Sequence, residues 1–108
     1  MRIPELTPGI VDWSDVERTE HPGDRGSAFQ RSREFGEIRV RIVEYSAGYL
    51  SDRWCARGHI NHCPEGEVVI ELEDDSFVLQ AGMSRQLPDD TRPHRASSSS
   101  GATLFIVD

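Results

Sequence analysis

Hydrophobic and polar positions alternate from Gly36 onward, where Ile38, Val40 and Ile42 interleave with Glu37, Arg39 and Arg41. That is the period of a strand with one face buried, here the Ile38, Val40 and Ile42 face, and it predicts a strand running to about Tyr45. Ser46-Ala47-Gly48 is a turn signal, and Pro64-Glu65-Gly66 reads as a break in the chain. Val68-Val69-Ile70-Glu71-Leu72 and Phe77-Val78-Leu79 flank Asp74-Asp75, the text of a hairpin with a short acidic turn. Ala81-Gly82 turns the chain again. A short strand is predicted over Met83 to Leu87, another from near His94, and a last one over Thr103-Leu104-Phe105-Ile106-Val107, with the serine run at 97 to 100 and Gly101 as the turn before it. Strands recurring every ten or so residues, with no sustained 3.6-residue period, predict an all-β sandwich or barrel.

Residues 1 to 27 differ from the rest. They are rich in proline, glycine and charge and hold only scattered apolar residues, among them Val11, Trp13 and Val16. We read them as an N-terminal arm packing on a barrel formed by residues 28 to 108. Ser14 with Glu17 three positions on has the form of a capping box opening one helical turn, which His21-Pro22-Gly23 would end. Trp13 is the one large anchor, expected to lie over the outside of a sheet.

Length and charge narrow the class. A chain of 108 residues holds one core, and 12 basic against 19 acidic residues give a net charge of −7. Such a field repels phosphate backbones and anionic bilayers, so neither nucleic acid nor membrane is an expected partner. No run approaches the roughly 18 apolar residues of a membrane span, and Met1 to Ile10 lacks the basic start and apolar stretch of a signal peptide. Two cysteines are too few for a disulfide framework, so reduced thiols and a cytoplasmic setting are expected. The parts of a phosphate loop, a nucleophile elbow and a Cys-x-x-Cys pair are absent from the sequence, which removes nucleotide hydrolysis, serine hydrolysis and dithiol exchange.

The chemistry-bearing residues are concentrated. Cys55, His59, His62 and Cys63 fall within nine residues, and His94 follows a proline-rich turn. From Gly48 to Gly66 the pattern Gly-x4-Arg-x-Cys-x3-His-x6-Gly resembles the first motif of the cupins, and Gly-x5-Pro-x-Asp-x3-His-x3-Ser from Gly82 resembles the second. Gly48-Tyr49-Leu50, Trp54-Cys55, Gly58-His59-Ile60, Gly82-Met83-Ser84 and Leu104-Phe105-Ile106-Val107-Asp108 are similar to the small bacterial cupins named for an Asp-His-Cys-Trp signature. Arg53, between Asp52 and Trp54, stands where that group carries histidine. The resemblance implies a double-stranded β-helix, or jelly-roll barrel, with a pocket, and a homodimer that covers an exposed sheet edge. It implies no particular reaction.

Strand parity supports a shared site. Residues two apart share a face, so Arg53 and Cys55 point together, His59 returns to the same interior, and His94 approaches from a neighbouring strand. Cys55, His59 and His94 are the candidate ligands of a divalent transition metal, with Zn, Ni, Cu, Mn and Fe all open. His62 has the opposite parity and is expected outside; Cys63 falls on an ordinary hydrophobic position. Arg53 cannot ligate a metal, since its guanidinium stays protonated, but its planar fork suits an anion. Two readings follow: a metal-binding pocket for a small anionic molecule, or a metal-free small-ligand binding or sensing module with Arg53 as the anion contact. Tyr49 and Trp54 are the further candidate ligand contacts.

Overall fold

A computed structural model describes Ile3 and residues 6 to 108; Met1, Arg2, Pro4 and Glu5 of the expected arm lie outside the described residues. The described chain is all-β apart from one short 3-10 turn, Trp13–Asp15. Nine strands follow: β1 Thr19–Pro22, β2 Ser27–Phe35, β3 Ile38–Tyr45, β4 Tyr49–Leu50, β5 His59–Glu71, β6 Ser76–Gln80, β7 Met83–Leu87, β8 Arg95–Ser98 and β9 Ala102–Val107. Among the described residues no helix is long and apolar enough to cross a membrane.

Two antiparallel sheets share one strand. The first runs β1-β2-β3-β9-β5-β7 and the second β4-β8-β5-β6. Strand β5 belongs to both, passing from His59–Cys63 in the first to Glu67–Glu71 in the second. The Pro64-Glu65-Gly66 segment, expected to break the chain, is instead a bulge inside this strand, with a register shift between His62 and Glu65. A bulge bends a strand without ending it. Gly66 makes the bend possible: its φ is +83°, and a Cβ there would lie 2.3 Å from the carbonyl oxygen of Gly101. Only glycine tolerates both demands.

The hairpin β5–β6 has the expected acidic turn, with Glu71 paired to Ser76. The 3-10 turn is capped by Asp12, whose carboxylate accepts from the Ser14 amide at 3.0 Å; Ser14 is inside the turn and not its cap, a correction to the capping-box expectation. An aspartate two positions before an amide forms the same bond as the box serine would. Strands β1 and β2 show no clear alternation in the sequence, because β1 reads Thr-Glu-His-Pro and β2 carries Gln30, Arg31, Ser32, Arg33 and Glu34 in an unbroken polar run.

The largest departure concerns which side of β3 faces inward. Arg41, Val43 and Tyr45 line the interior, so Ile38, Val40 and Ile42 face outward and are only half-buried. The period was right and the face was opposite. Arg39 and Arg41 tolerate the inner side because Asp108 receives both, at 2.9 to 3.0 Å. On the outside, the arm covers the β2 end: Arg31 Nε donates to the Val16 carbonyl at 3.2 Å, and the Arg18 guanidinium sits 3.9 Å from the Phe29 ring centre. Val16 is thereby buried. The core proper is built from Val43, Cys63, Val68, Ile70, Leu79, Leu104 and Ile106, between the two sheets.

Candidate functional site: a cationic cavity between the sheets

A cavity of about 220 Å³ opens between the two sheets beside this core. Its floor is a row across the first sheet. Arg41 pairs with Ile106, Ile106 with Asn61, and Asn61 with Arg85, so the four side chains stand side by side over three strand spacings of about 4.8 Å each. His59, two residues before Asn61, shares its face. The second sheet contributes Tyr49, Ile70, Arg95 and Ala96, and the segment before it contributes Ser51, Arg53, Cys55 and His94.

Cys55 and His94 are locked together through the main chain. The Cys55 amide donates to the His94 carbonyl at 2.8 Å and the His94 amide to the Cys55 carbonyl at 2.9 Å, an isolated antiparallel bridge. The ring of His94 meets that of His59 edge-to-face with centres 5.2 Å apart. Burial pushes His59 down to about 4, helped by the positive neighbours His94 and Arg85. His94 is lowered in the same direction by burial and by Arg85. Both rings are therefore neutral at neutral pH. Burial also lowers Arg41 and Arg85 from the ordinary arginine value, without removing their charge. Burial raises the Asp108 carboxyl, but hydrogen bonds from Arg39 and the charges of Arg41 and Arg39 outweigh it and hold it below the usual range.

The wall carries four arginines, Arg41, Arg53, Arg85 and Arg95, and no carboxylate. It also carries unpaired polar atoms. Among the described residues, the buried side-chain nitrogens and oxygens that lack a hydrogen-bond partner are Arg41 Nε, His59 Nδ1, Asn61 Oδ1, Arg85 Nη1 and His94 Nδ1. Every one belongs to a residue of this cavity. Buried polar groups are rarely left unpaired, because each costs about 1–3 kcal/mol, so their concentration in one place marks this wall as the part of the interior that can pair with whatever fills the cavity, water included.

The structure brings Cys55, His59, His94, Arg53 and Tyr49 to the one cavity, as parity predicts. It does not make the first three a metal centre. Among the described residues no three His, Cys, Asp or Glu side chains come together as a group able to hold an ion. The Cys55 sulfur accepts from the Arg57 amide at 3.4 Å, a bond that a thiol or thiolate can keep whether or not it ligates an ion. The four guanidinia around these donors weigh against a dication. Trp54 is placed elsewhere: it is exposed, carries Arg95 at 4.8 Å from its ring centre, and borders an outer depression with Glu73, Asp74, Arg92 and Pro93. His62 faces out and shares a 2.8 Å hydrogen bond with Ser84, while Cys63 is fully buried in the core, both as expected. The two thiols are free.

Sequence reasoning missed His21, Gln30, Arg41, Asn61, Arg85 and Arg95, all on the wall. The signal for Asn61 was its parity with His59. For Arg41 it was the alternation itself, had the polar phase been considered as the inner one. Tyr45, which the sequence offers either as a cavity-lining ring or as packing, stacks flat on Tyr49, ring centres 4.5 Å apart, at the cavity wall.

No protein-family model and no curated protein sequence matches the chain. Solved structures do match its fold. A predicted oxalate decarboxylase from Thermotoga maritima superposes with a TM-score of 0.76 at 13% identity, over 92% of this chain and 96% of that one. A sugar phosphate isomerase from a cupin superfamily, from Silicibacter pomeroyi, gives 0.72 at 17% identity, over 92% and 74%. An RmlC-like cupin from Shewanella frigidimarina gives 0.71 at 17% identity, over 95% and 91%. The chain therefore has a cupin jelly-roll fold. Fold alone carries no chemistry.

Proposed function

We propose that the cavity binds a small anionic molecule directly, through arginine and histidine side chains and without a metal ion. The observation that carries this reading is the coincidence of two sets: the buried polar atoms without partners and the wall of the one cavity lined by four arginines and no carboxylate. An anion supplies acceptors to Arg41 Nε and Arg85 Nη1 and, with the appropriate tautomer, to the two imidazoles. The volume is below the roughly 300–1,000 Å³ of drug-sized sites, which favours a small acid over a nucleotide or a sugar nucleotide. The stacked Tyr45–Tyr49 pair with Ile70, Leu104 and Ile106 offers the apolar remainder of the site to the ligand's carbon skeleton.

Calorimetric titration of metal-stripped protein with short-chain carboxylates tests it. Saturable binding that survives chelator supports the reading. Binding that appears only after Zn, Ni, Cu, Mn or Fe is restored, with stoichiometric metal in elemental analysis, would replace it with the metal-centred alternative on Cys55, His59 and His94.

Three coarser expectations stand as proposals beside it. Gly48-Tyr49-Leu50 and Trp54-Cys55 support kinship with the Asp-His-Cys-Trp cupins, and the free thiols Cys55 and Cys63 support a reducing, cytoplasmic setting. A homodimer is supported by the outer face of the first sheet, where Ile60 and Phe105 remain 56% and 37% exposed on neighbouring strands. A second copy laid there would withdraw both from water. Light scattering should give twice the chain mass for the wild type and the single mass for Ile60→Lys with Phe105→Lys.

A further inference from the structure

Counting charges and their partners around the cavity separates its arginines into two kinds. Arg41 shares Asp108 with Arg39, and it also donates to the Gln30 side-chain oxygen at 3.1 Å. Arg95 holds Glu71 through two bonds of 3.2 Å. These two are already answered by carboxylates of the chain. Arg53 and Arg85 form no ion pair among the described residues. Arg85 has a buried nitrogen without any acceptor and an aromatic neighbour, Phe77, at 5.0 Å from its guanidinium carbon.

The two unanswered cations stand on different walls. Arg85 belongs to β7 and closes the row Arg41, Ile106, Asn61 in the first sheet. Arg53 lies between β4 and the Cys55–His94 bridge, on the side of the second sheet. Asn61, 4% exposed, and His94, 5% exposed, line the same cavity. A monoanion seated on one arginine leaves the other without a carboxylate. An anion with its two charges on one centre meets the same geometry at one end only.

We infer that the ligand is a short diacid with a carboxylate at each end, one end received by Arg85 and the other by Arg53. This deepens the anion-binding reading and rests on it. The unpaired Asn61 Oδ1 adds a preference for a diacid carrying a hydroxyl or amino donor on its backbone. Charge-assisted hydrogen bonds are among the stronger ones, so the second carboxylate should raise affinity by roughly tenfold or more.

The test is calorimetry on full-length, metal-stripped protein with succinate, butyrate and inorganic phosphate, at one ionic strength. Succinate should bind at least about tenfold more tightly than butyrate and than phosphate. Arg53→Met should reduce succinate to the affinity of butyrate. Arg53 is exposed, so this variant tests the inference even if Arg85→Met fails to fold. Equal binding of succinate and butyrate would overturn the diacid while leaving the anion-binding reading intact. Tighter binding of phosphate would overturn it in favour of a single-centred dianion. Absence of binding by all three would remove both readings.

Discussion

The two halves of β5 lead opposite lives within one continuous strand. Past the bulge, Val68 and Ile70 are almost wholly buried and pack in one cluster with Leu79 and Leu104. Before it, His59 and Asn61 are also withdrawn from water, yet each keeps a polar atom without a partner. The first situation lowers free energy on folding and the second raises it. Such an exchange of stability within one strand supports the proposed binding site, since leucine at both positions would serve folding better.

The contrast can be broken most forcefully at its stable end. Ile70→Ala should lose about 2–5 kcal/mol of unfolding free energy in urea denaturation, since the side chain is 2% exposed and its neighbours can only partly close the void. A loss below about 0.5 kcal/mol would mean the second half is not the core that its burial implies.

The hinge between the halves comes next. Gly66→Ala should cost about 1–3 kcal/mol, because alanine must adopt the left-handed conformation and its methyl meets the Gly101 carbonyl. If thermal unfolding of this variant matches the wild type, the bulge is not fixed by this glycine.

At the polar end the sign should reverse. Asn61→Leu should leave stability unchanged or raise it by about 1 kcal/mol, by removing a buried acceptor without a partner, while weakening titration by short acids. A destabilisation as large as that of Ile70→Ala would show that Asn61 is structural and would merge the two halves.

The last effect is on pH dependence. His59 has a folded value of about 4, below its unfolded value, so the unfolded chain binds the proton more readily between the two. Stability is then complete above about 6.5, falls as the pH drops toward 4, and flattens below it. His59→Phe should shallow this slope in urea midpoints measured from pH 7 to pH 4. An unchanged slope would assign it to other groups.

Much of the architecture was legible in the residues. Turn glycines, the acidic hairpin tip and the β-branched runs each state a local preference, and local preferences fix strands and turns whatever their neighbours do. The sharing of one interior by Cys55, His59 and His94 was also legible, because parity is a property of the strand itself. The arrangement of their donor atoms was not: whether three donors meet depends on where rings and thiol point after the sheets have closed, and among the described residues no such group is gathered.

Parity with His59 marked Asn61 as inward, whereas the inner phase of Arg41 and Arg85 was not decided by the sequence pattern. Alternation says that two sides differ and leaves open which of them is inside. In most sheets transfer energies decide that question in favour of isoleucine over arginine. In this one the decision fell to partners far apart in sequence, Asp108 for Arg41 and the facing strands for Asn61 and Arg85. The amino-acid order by itself determined most strands and turns from Ile38 onward and the all-β class. Only the closure of the two sheets determined that their shared interior is polar and cationic at one end, because electrostatic compensation is a sum over neighbours that exist only once the chain is folded.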